Sequence, residues 1–309
     1  MDLIQSVLNG EKRGIAKMIT LIEKNAPEAI EALKQIYQHT GKAAIIGITG
    51  PPGSGKSSLV NQLTKKIRSE DKKVGIIAID PTSPFTGGAL LGDRIRMQEL
   101  ALDQGVFIRS MGSRGALGGL SRASYDAAKV LDAAGMDYVI IETVGVGQSE
   151  IDIVKLADIV ALVLIPGMGD EVQAIKAGVM EIGDVFVVNK ADKDGANRVV
   201  TEIEMMLDLN TEKDAARPPV IKTIATTGEG IDELNEHIKK YWHQIANSNE
   251  LAKRRKERIR SELISITEDH ILNQILSDKS SKIDSMVKDI YEKKIDPYSA
   301  MELLIAPEK

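Results

Sequence analysis

The sequence predicts an α/β protein in which a doubly wound, mostly parallel sheet is covered by helices on both faces. Two observations support this fold class. Short runs rich in β-branched residues alternate with segments whose apolar residues recur at helical spacing. The strand-like runs are also apolar on both faces, which is typical of strands buried between two helical layers. The predicted strands cover residues 43–49, 73–80, 106–111, 137–143, 158–166, 185–192 and 220–226.

Helical segments flank the predicted sheet domain, which spans residues 41–248. Residues 1–40 carry apolar positions at helical spacing and predict a helical N-terminal extension. Residues 249–309 predict a helical, strongly charged C-terminal tail. The helices of this tail are too few to fold alone, so we expect them to pack on the core or on a second subunit. The basic run at 251–260 fits a solvated helix face better than a phosphate-binding surface.

Composition excludes several classes of protein. The chain has 309 residues, of which 43% are hydrophobic and 28% are charged, and these values are ordinary for a folded protein. A net charge of -5 argues against nucleic-acid binding through the overall field. The absence of a long apolar run and of a signal-peptide core predicts a cytoplasmic protein without a membrane partner. With zero cysteines, thiolate metal sites and catalytic thiols are excluded.

The clearest motif lies between the first predicted strand of the sheet and the helix that follows. Residues 50–57 read GPPGSGKS and satisfy the phosphate-loop pattern G-x-x-x-x-G-K-[ST] in its strand–loop–helix context. Glycines let backbone N–H groups surround phosphate oxygens, and Lys56 meets the β and γ phosphates. Ser57 offers a hydroxyl ligand to Mg²⁺. The predicted phosphate-binding residues are Gly50, Pro51, Pro52, Gly53, Ser54, Gly55, Lys56, Ser57 and Ser58.

A second motif predicts which base is bound. Asn189, Lys190 and Asp192 form the N-K-x-D arrangement of GTP-binding proteins at the end of a predicted strand. The Asp192 carboxylate can accept hydrogen bonds from N1 and the amino group of guanine, whereas adenine would leave a buried charge unpaired. We expect Asn189 to brace the neighbouring loops and the stem of Lys190 to cover the ring. The motif therefore favours guanine over adenine.

Other loops at predicted strand ends complete the candidate site. Segments 80–97, 109–124 and 142–150 are rich in glycine, as expected of loops that bind ligands and change state in doubly wound sheets. Segment 223–230 lies where GTPases bring a backbone N–H to the guanine oxygen, although an ordinary strand-to-helix turn explains it equally well. The candidates for this donor are Ala225, Thr226 and Thr227.

With these motifs the chain resembles the MeaB/ArgK family, the GTPases associated with methylmalonyl-CoA mutase, within the SIMIBI class of P-loop GTPases. The marks are the P-loop, the DPTSPFTGG…LGDR segment, ETVGVGQSE and NKAD, and the resemblance covers essentially the whole chain. It implies a P-loop NTPase fold, GTP and GDP as ligands, Mg²⁺ as cofactor, and a homodimer with contacts from the tail. It also implies a chaperone that gates adenosylcobalamin loading, protection or reactivation of methylmalonyl-CoA mutase or a related cobalamin-dependent acyl-CoA mutase.

The resemblance also implies roles for individual residues. The acidic cluster that gathers Mg²⁺, mostly through water, corresponds to Asp80, Asp93 and Glu142, which join the Ser57 hydroxyl of the P-loop. Such a set agrees with the preference of magnesium for one or two carboxylates, phosphate oxygens and several waters. Segment 167–178 matches an additional switch, in which Gln173 and Lys176 correspond to positions implicated in reordering when the mutase is present. From their helical spacing alone, these two residues fit a solvent-facing helix surface equally well.

Segment 142–150, ETVGVGQSE, predicts slow hydrolysis. Ras-like switches place a glutamine directly after the D-x-x-G glycine to orient the attacking water. Here Val146 follows Gly145, and the first amide comes only at Gln148. Because valine cannot orient water, we expect slow intrinsic turnover that a partner or second subunit accelerates. The catalytic residues expected are Lys56, Glu142, Gln148, Gln173 and Lys176.

Two other functions share parts of this pattern. A nickel-insertion GTPase has the same fold class, but those proteins carry cysteine- and histidine-containing metal sites, and this chain has no cysteine. An ArgK-type protein kinase linked to periplasmic transport should use ATP, whereas NKAD favours guanine. Relative affinity for GDP and ADP separates the kinase from the GTPase.

Overall fold

The computed structural model describes residues 2–80, 97–112, 120–143, 152–167, 182–210, 217–278 and 280–305. The chain forms two compact units, Met1–Leu251 and Ala252–Lys309. The first unit contains the sheet and every predicted nucleotide-binding motif. Within the described ranges, no helix has the length and apolar character needed to span a bilayer.

The first unit is built around a seven-stranded sheet in the order β3-β2-β4-β1-β5-β6-β7, with every neighbouring pair parallel. The strands are β1 (Ala44–Thr49), β2 (Val74–Asp80), β3 (Val106–Gly112), β4 (Tyr138–Glu142), β5 (Ile159–Leu164), β6 (Val185–Asn189) and β7 (Val220–Thr223). All seven predicted strands and their parallel arrangement are confirmed. Because β1 lies centrally, where the strand order changes direction, its carboxyl end opens on the crevice that binds ligands in such sheets.

Helices cover both faces of this sheet, as predicted. They are α1 (Leu3–Leu8), α2 (Lys12–Glu23), α3 (Pro27–Ile36), α4 (Lys56–Arg68), α5 (Gln98–Ala101), α6 (Arg122–Ala133), α7 (Ala196–Asn210) and α8 (Ile231–Ala246). Side chains alternate along each strand, so Ile46 and Ile140 lie in the core layer that contains α4 and α8, while Ile45 and Val139 lie in the layer that contains α2 and α6. Helix α7 covers β5 and β6 on this second face. The strands are therefore buried on both sides.

The N-terminal helices belong to the layer on the second face. Helix α2 packs against α6 and is tied to the edge strand β3 through Arg109. The Arg109 guanidinium donates to Thr20 Oγ1 at 3.1 Å and forms an ion pair with Glu23. The described helices of residues 2–40 thus lie in the same compact unit as the sheet.

Aspartates close the amino-terminal edge of the sheet. Asp137, Asp158 and Asp184 each stand directly before a strand, and each carboxylate accepts a backbone N–H from the neighbouring strand or the residue just before it. The donors are the N–H groups of Lys73, Ile45 and Val160, at 2.8, 3.1 and 2.9 Å respectively. Such bonds satisfy groups at the strand starts that the sheet ladder leaves unpaired.

The C-terminal region is helical, as predicted. Its helices are α9 (Asn249–Asp278), α10 (Ser280–Tyr291) and α11 (Pro297–Ile305). Asp296 caps α11 by accepting the N–H groups of Tyr298 and Ser299. Many large apolar side chains of these helices are exposed, namely Ile259, Leu263, Ile264, Ile271, Leu272, Leu276, Val287, Tyr291, Tyr298, Met301, Leu303 and Ile305.

Candidate functional site

The loop between β1 and α4 has the backbone that a phosphate-binding loop requires. Gly50 and Gly55 adopt φ angles of 138° and 87°, which L side chains rarely adopt. A Cβ atom at Gly50 would overlap the carbonyl oxygen of Val163 in β5, and one at Gly55 would overlap the amide of Asn189. The first loop glycine is thus pressed against the sheet and the last against the base motif, so neither position has room for a side chain.

Lys56 is the first residue of α4, and its side chain is folded across the loop. The buried ammonium donates to the carbonyl oxygens of Gly50 at 2.7 Å and Pro51 at 2.9 Å. These bonds hold a cation beside the loop N–H groups and the positive end of the α4 dipole. The local field therefore favours a phosphate anion at this position.

Two hard oxygen donors meet beside the loop. Ser57 Oγ donates to Glu142 Oε1 at 2.6 Å, and both side chains are buried. A hydroxyl and a carboxylate fit Mg²⁺, which is usually held by one or two carboxylates together with phosphate oxygens and waters. Among the side chains that the structure describes, no group of three or more histidine, aspartate or glutamate residues is placed to hold a metal ion. Asp80 ends β2, but its side chain lies outside what the structure describes.

Asn189 connects the base motif with the phosphate loop. Its amide nitrogen donates to the carbonyl oxygen of Ser54 at 2.8 Å. Its amide oxygen accepts from Thr223 Oγ1 at 3.2 Å and from the N–H of Ala225 at 3.1 Å. The side chain is 2% exposed. One buried amide therefore joins three segments that the sequence places far apart: the loop after β1, the end of β6 and the segment after β7.

The other residues of the base motif surround Asn189. Lys190 adopts a left-handed φ of 56°, and its ammonium donates to the carbonyl oxygen of Gly53 at 2.8 Å. Asp192 and Thr226 are exposed at the same end of the sheet. The N–H of Thr227 donates to the carbonyl of Ile224 within the turn after β7. Because its ammonium binds Gly53, the side chain of Lys190 extends from the base motif to the phosphate loop.

A pair of threonines in the site was missed by sequence reasoning. Thr49 ends β1 and Thr143 follows β4, and their hydroxyl oxygens lie 2.8 Å apart in a hydrogen bond. Both side chains are buried, with 0% and 1% exposure. Their only signal in the sequence is position, because each is a polar residue at the end of an apolar strand and directly beside a motif.

The remaining predicted site residues are outside the described part of the chain. They are Asp93, Gly145, Gln148, Gln173 and Lys176. Their roles in metal binding and hydrolysis therefore stay predictions.

Comparison with known proteins agrees with this geometry. A model of the family described as methylmalonyl Co-A mutase-associated GTPase MeaB matches residues 15–280. A Pyrococcus abyssi protein described as a GTPase is 50% identical over 308 residues, covering 98% of this chain and 95% of that protein. A mitochondrial Caenorhabditis elegans protein described as a methylmalonic aciduria type A homolog is 34% identical over 326 residues, covering 98% and 81%.

Among solved structures, one described as a LAO/AO transport system kinase superposes with a TM-score of 0.72 at 27% identity, covering 98% of this chain and 95% of that one. Together with the strand order and the loop after β1, this similarity confirms the predicted P-loop NTPase fold.

Proposed function

The chain belongs to the MeaB family of methylmalonyl-CoA mutase-associated GTPases, and on that premise we propose a specific role for it. The protein binds and hydrolyses GTP at the carboxyl edge of its sheet and uses this cycle as a chaperone. The cycle gates adenosylcobalamin loading, protection or reactivation of methylmalonyl-CoA mutase or a related cobalamin-dependent acyl-CoA mutase. The observation that carries the nucleotide part is the bridge through Asn189, which joins a phosphate loop to a guanine motif.

The phosphate end of the site supports hydrolysis by in-line attack of water on the γ-phosphate. Lys56 is already held across the loop and offsets negative charge on the β and γ phosphates. Ser57 and Glu142 would hold Mg²⁺, which when bound supplies further charge neutralisation. The chain's own contribution is positioning, because hydrogen bonds within the protein hold Lys56, Ser57 and Glu142.

The base end supports selection of guanine. Asp192 is exposed, so its carboxylate is accessible to a base. The nearby Lys190 is held to the phosphate loop through its ammonium group. A carboxylate matches the two N–H donors of guanine and opposes the N1 acceptor of adenine. Of the candidate donors to the guanine oxygen, Ala225 and Thr227 already donate within the protein, to Asn189 and Ile224 respectively.

The regulatory part of the proposal concerns the step that orients water. No residue with a side-chain amide directly follows Gly145, so the isolated protein hydrolyses GTP slowly. Binding of the mutase brings Gln148, Gln173 or Lys176 to the γ-phosphate and accelerates hydrolysis. The family description and the relative described as a methylmalonic aciduria type A homolog support the mutase as partner.

A homodimer is part of the proposal. Helices α9 to α11 expose many large apolar side chains, and burial against a second copy would remove them from water. We assign residues 1–40 to an N-terminal helical extension, 41–248 to the GTP-binding domain and 249–309 to a dimerisation tail in a cytoplasmic protein. Sedimentation of the full chain and of a chain ending at residue 248 tests this dimer. If both particles contain the same number of subunits, the proposal is contradicted.

The decisive experiment compares nucleotides and variants. Purified protein is titrated with GDP and with ADP, and phosphate release from GTP is measured with and without the mutase. We expect a preference for GDP, slow release alone and faster release with the mutase. A preference for ADP would favour the kinase role in the description of the similar solved structure. Fast release that the mutase does not change would refute regulated hydrolysis.

Two substitutions locate the site, each with a matched control. Lys56→Ala should weaken GTP binding and abolish hydrolysis, whereas Lys65→Ala, farther along the same helix and exposed, should do neither. Asp192→Asn should shift preference toward xanthine nucleotides, because the amide donates where the carboxylate accepted. Asp194→Asn, an exposed change in the same turn, should keep guanine selectivity. Unchanged selectivity in the Asp192 variant would place the base site elsewhere.

A further inference from the structure

The hydroxyl bond between Thr49 and Thr143 lies at the point where two chain segments leave the sheet together. The last aligned pair of β1 and β4 is Ile48 with Glu142, and the N–H of Thr143 still donates to the carbonyl of Ile48 at 3.1 Å. The threonine side chains then form one more link beyond this ladder, at 2.8 Å. Because both are buried, water does not compete freely for this bond.

Each threonine adjoins a segment that supplies one half of the candidate metal site. Thr49 directly precedes Gly50, the first residue of the phosphate-loop motif, whose last residue is Ser57 in the first turn of α4. Thr143 directly follows Glu142, whose carboxylate accepts the Ser57 hydroxyl at 2.6 Å. The hydroxyl bond and the Ser57–Glu142 bond therefore link the same two segments.

We propose that Thr49 and Thr143 are positioning residues for the magnesium site. Their hydroxyl bond sets the spacing between the phosphate loop and Glu142, so that Ser57 and Glu142 present their oxygens to the same ion. This inference rests on the proposed function, since it assigns a task within the same nucleotide site. In this role the two threonines act through the residues beside them in the chain, Gly50 and Glu142.

The test measures the Mg²⁺ dependence of fluorescent GDP release from the full-length protein. Thr143→Val keeps the shape of the side chain and removes the bond. We expect the Mg²⁺ concentration that half-maximally slows GDP release to rise about fivefold, with GDP affinity in excess chelator changed by less than about twofold. Thr143→Ser, which retains the hydroxyl, should restore the wild-type Mg²⁺ requirement.

A matched control is available on α4. Thr64 is fully buried, and its hydroxyl has no hydrogen-bond partner among the residues that the structure describes. Thr64→Val makes the same chemical change in a buried place without removing a positioning bond. We expect its Mg²⁺ requirement to equal that of the wild type.

The double variant Thr49→Val with Thr143→Val separates positioning from stability. The single change leaves one buried hydroxyl without its partner, whereas the double change removes both groups, so thermal stability should recover. A positioning role requires the raised Mg²⁺ requirement to persist in the double variant. Recovery of the Mg²⁺ response together with stability, or an unchanged response in Thr143→Val, would overturn the inference. Failure of wild-type protein to bind GDP would instead overturn the proposed function.

Discussion

Replacement of Asn189 by alanine should damage both the stability of the fold and the nucleotide site. The change removes three hydrogen bonds, to the carbonyl of Ser54, the hydroxyl of Thr223 and the N–H of Ala225. Each such bond contributes about 0.5–1.5 kcal/mol net, and buried partners left unsatisfied add to the loss. We therefore expect the free energy of unfolding to fall by about 3 kcal/mol.

Thermal denaturation and GDP titration measure the two effects. A loss of about 3 kcal/mol in a unit of this size lowers the melting temperature by about 6–12 °C. We also expect GDP affinity to fall by about tenfold or more, because the phosphate loop and the segment after β7 lose their common anchor. In Asn189→Asp the acceptor oxygens remain, but the group facing the Ser54 carbonyl becomes an oxygen. This variant should be destabilised at least as strongly.

The matched control is Asn197→Ala on the surface of α7. Asn197 is exposed, and its side chain accepts a hydrogen bond from the exposed Lys222. We expect a change in unfolding free energy of less than about 0.5 kcal/mol and unaltered GDP affinity. If Asn189→Ala melted within about 1 °C of the wild type and bound GDP equally well, the bridge through Asn189 would have no energetic role and the reasoning would fail.

Three further predictions address other parts of the first unit. Asp158→Ala removes the acceptor of the Ile45 N–H and should lower the unfolding free energy by about 1–3 kcal/mol in urea titrations, while GDP affinity of the folded protein stays constant. The hydrogen bond from Arg68 lowers the pKa of Asp103 below its ordinary value of 3.8. This carboxylate therefore stabilises the fold fully above that pH, and the stabilisation is lost as pH falls through the lowered pKa. Denaturation at graded pH should show a weaker acid dependence of stability in Asp103→Asn, and the same dependence as in the wild type would contradict the assignment. Gly50→Ala should abolish GDP binding in equilibrium titrations, because the new Cβ would overlap the backbone of β5, and retained binding would show that the loop can shift.

The strands were predictable because each depends mainly on local pattern. Seven apolar, β-branched runs became seven parallel strands. The largest overextensions at a single strand end are at β6 and β7, predicted as 185–192 and 220–226 and observed to end at Asn189 and Thr223. Lys190 turns to a positive φ of 56°, which ends β6. Hydrophobicity does not reveal such a backbone change.

Site residues were predictable where a motif has fixed spacing, and were not where partners come from distant strands. The loop at residues 50–57 and the guanine motif are recognisable because chemistry dictates which residue stands at which interval. The sequence predicts that Asn189 braces the neighbouring loops, but its partner Ser54, like the contact of Thr49 with Thr143, depends on which strands become neighbours. Strand order is a property of the whole chain, and one sequence contains no local signal for it.

The aspartates at the amino edge of the sheet are missed for the same reason. Asp137, Asp158 and Asp184 look like ordinary turn residues that precede strands. Their acceptor role appears only when the neighbouring strand is known, because Asp158 before β5 serves β1 and Asp184 before β6 serves β5.

These aspartates lie at the end of the strands opposite the candidate site. Substitutions at the two ends of the sheet should therefore have different effects on the protein. A substitution at the amino edge lowers the fraction of folded molecules but leaves each folded molecule with an intact site. A ligand that binds only folded protein adds about 2.7 kcal/mol of stability at a hundred times its dissociation constant, as much as one lost aspartate contact removes. Abundant nucleotide would therefore conceal amino-edge defects in a living cell. Substitutions at the carboxyl edge lose the ligand together with its protection, and no nucleotide concentration would hide them.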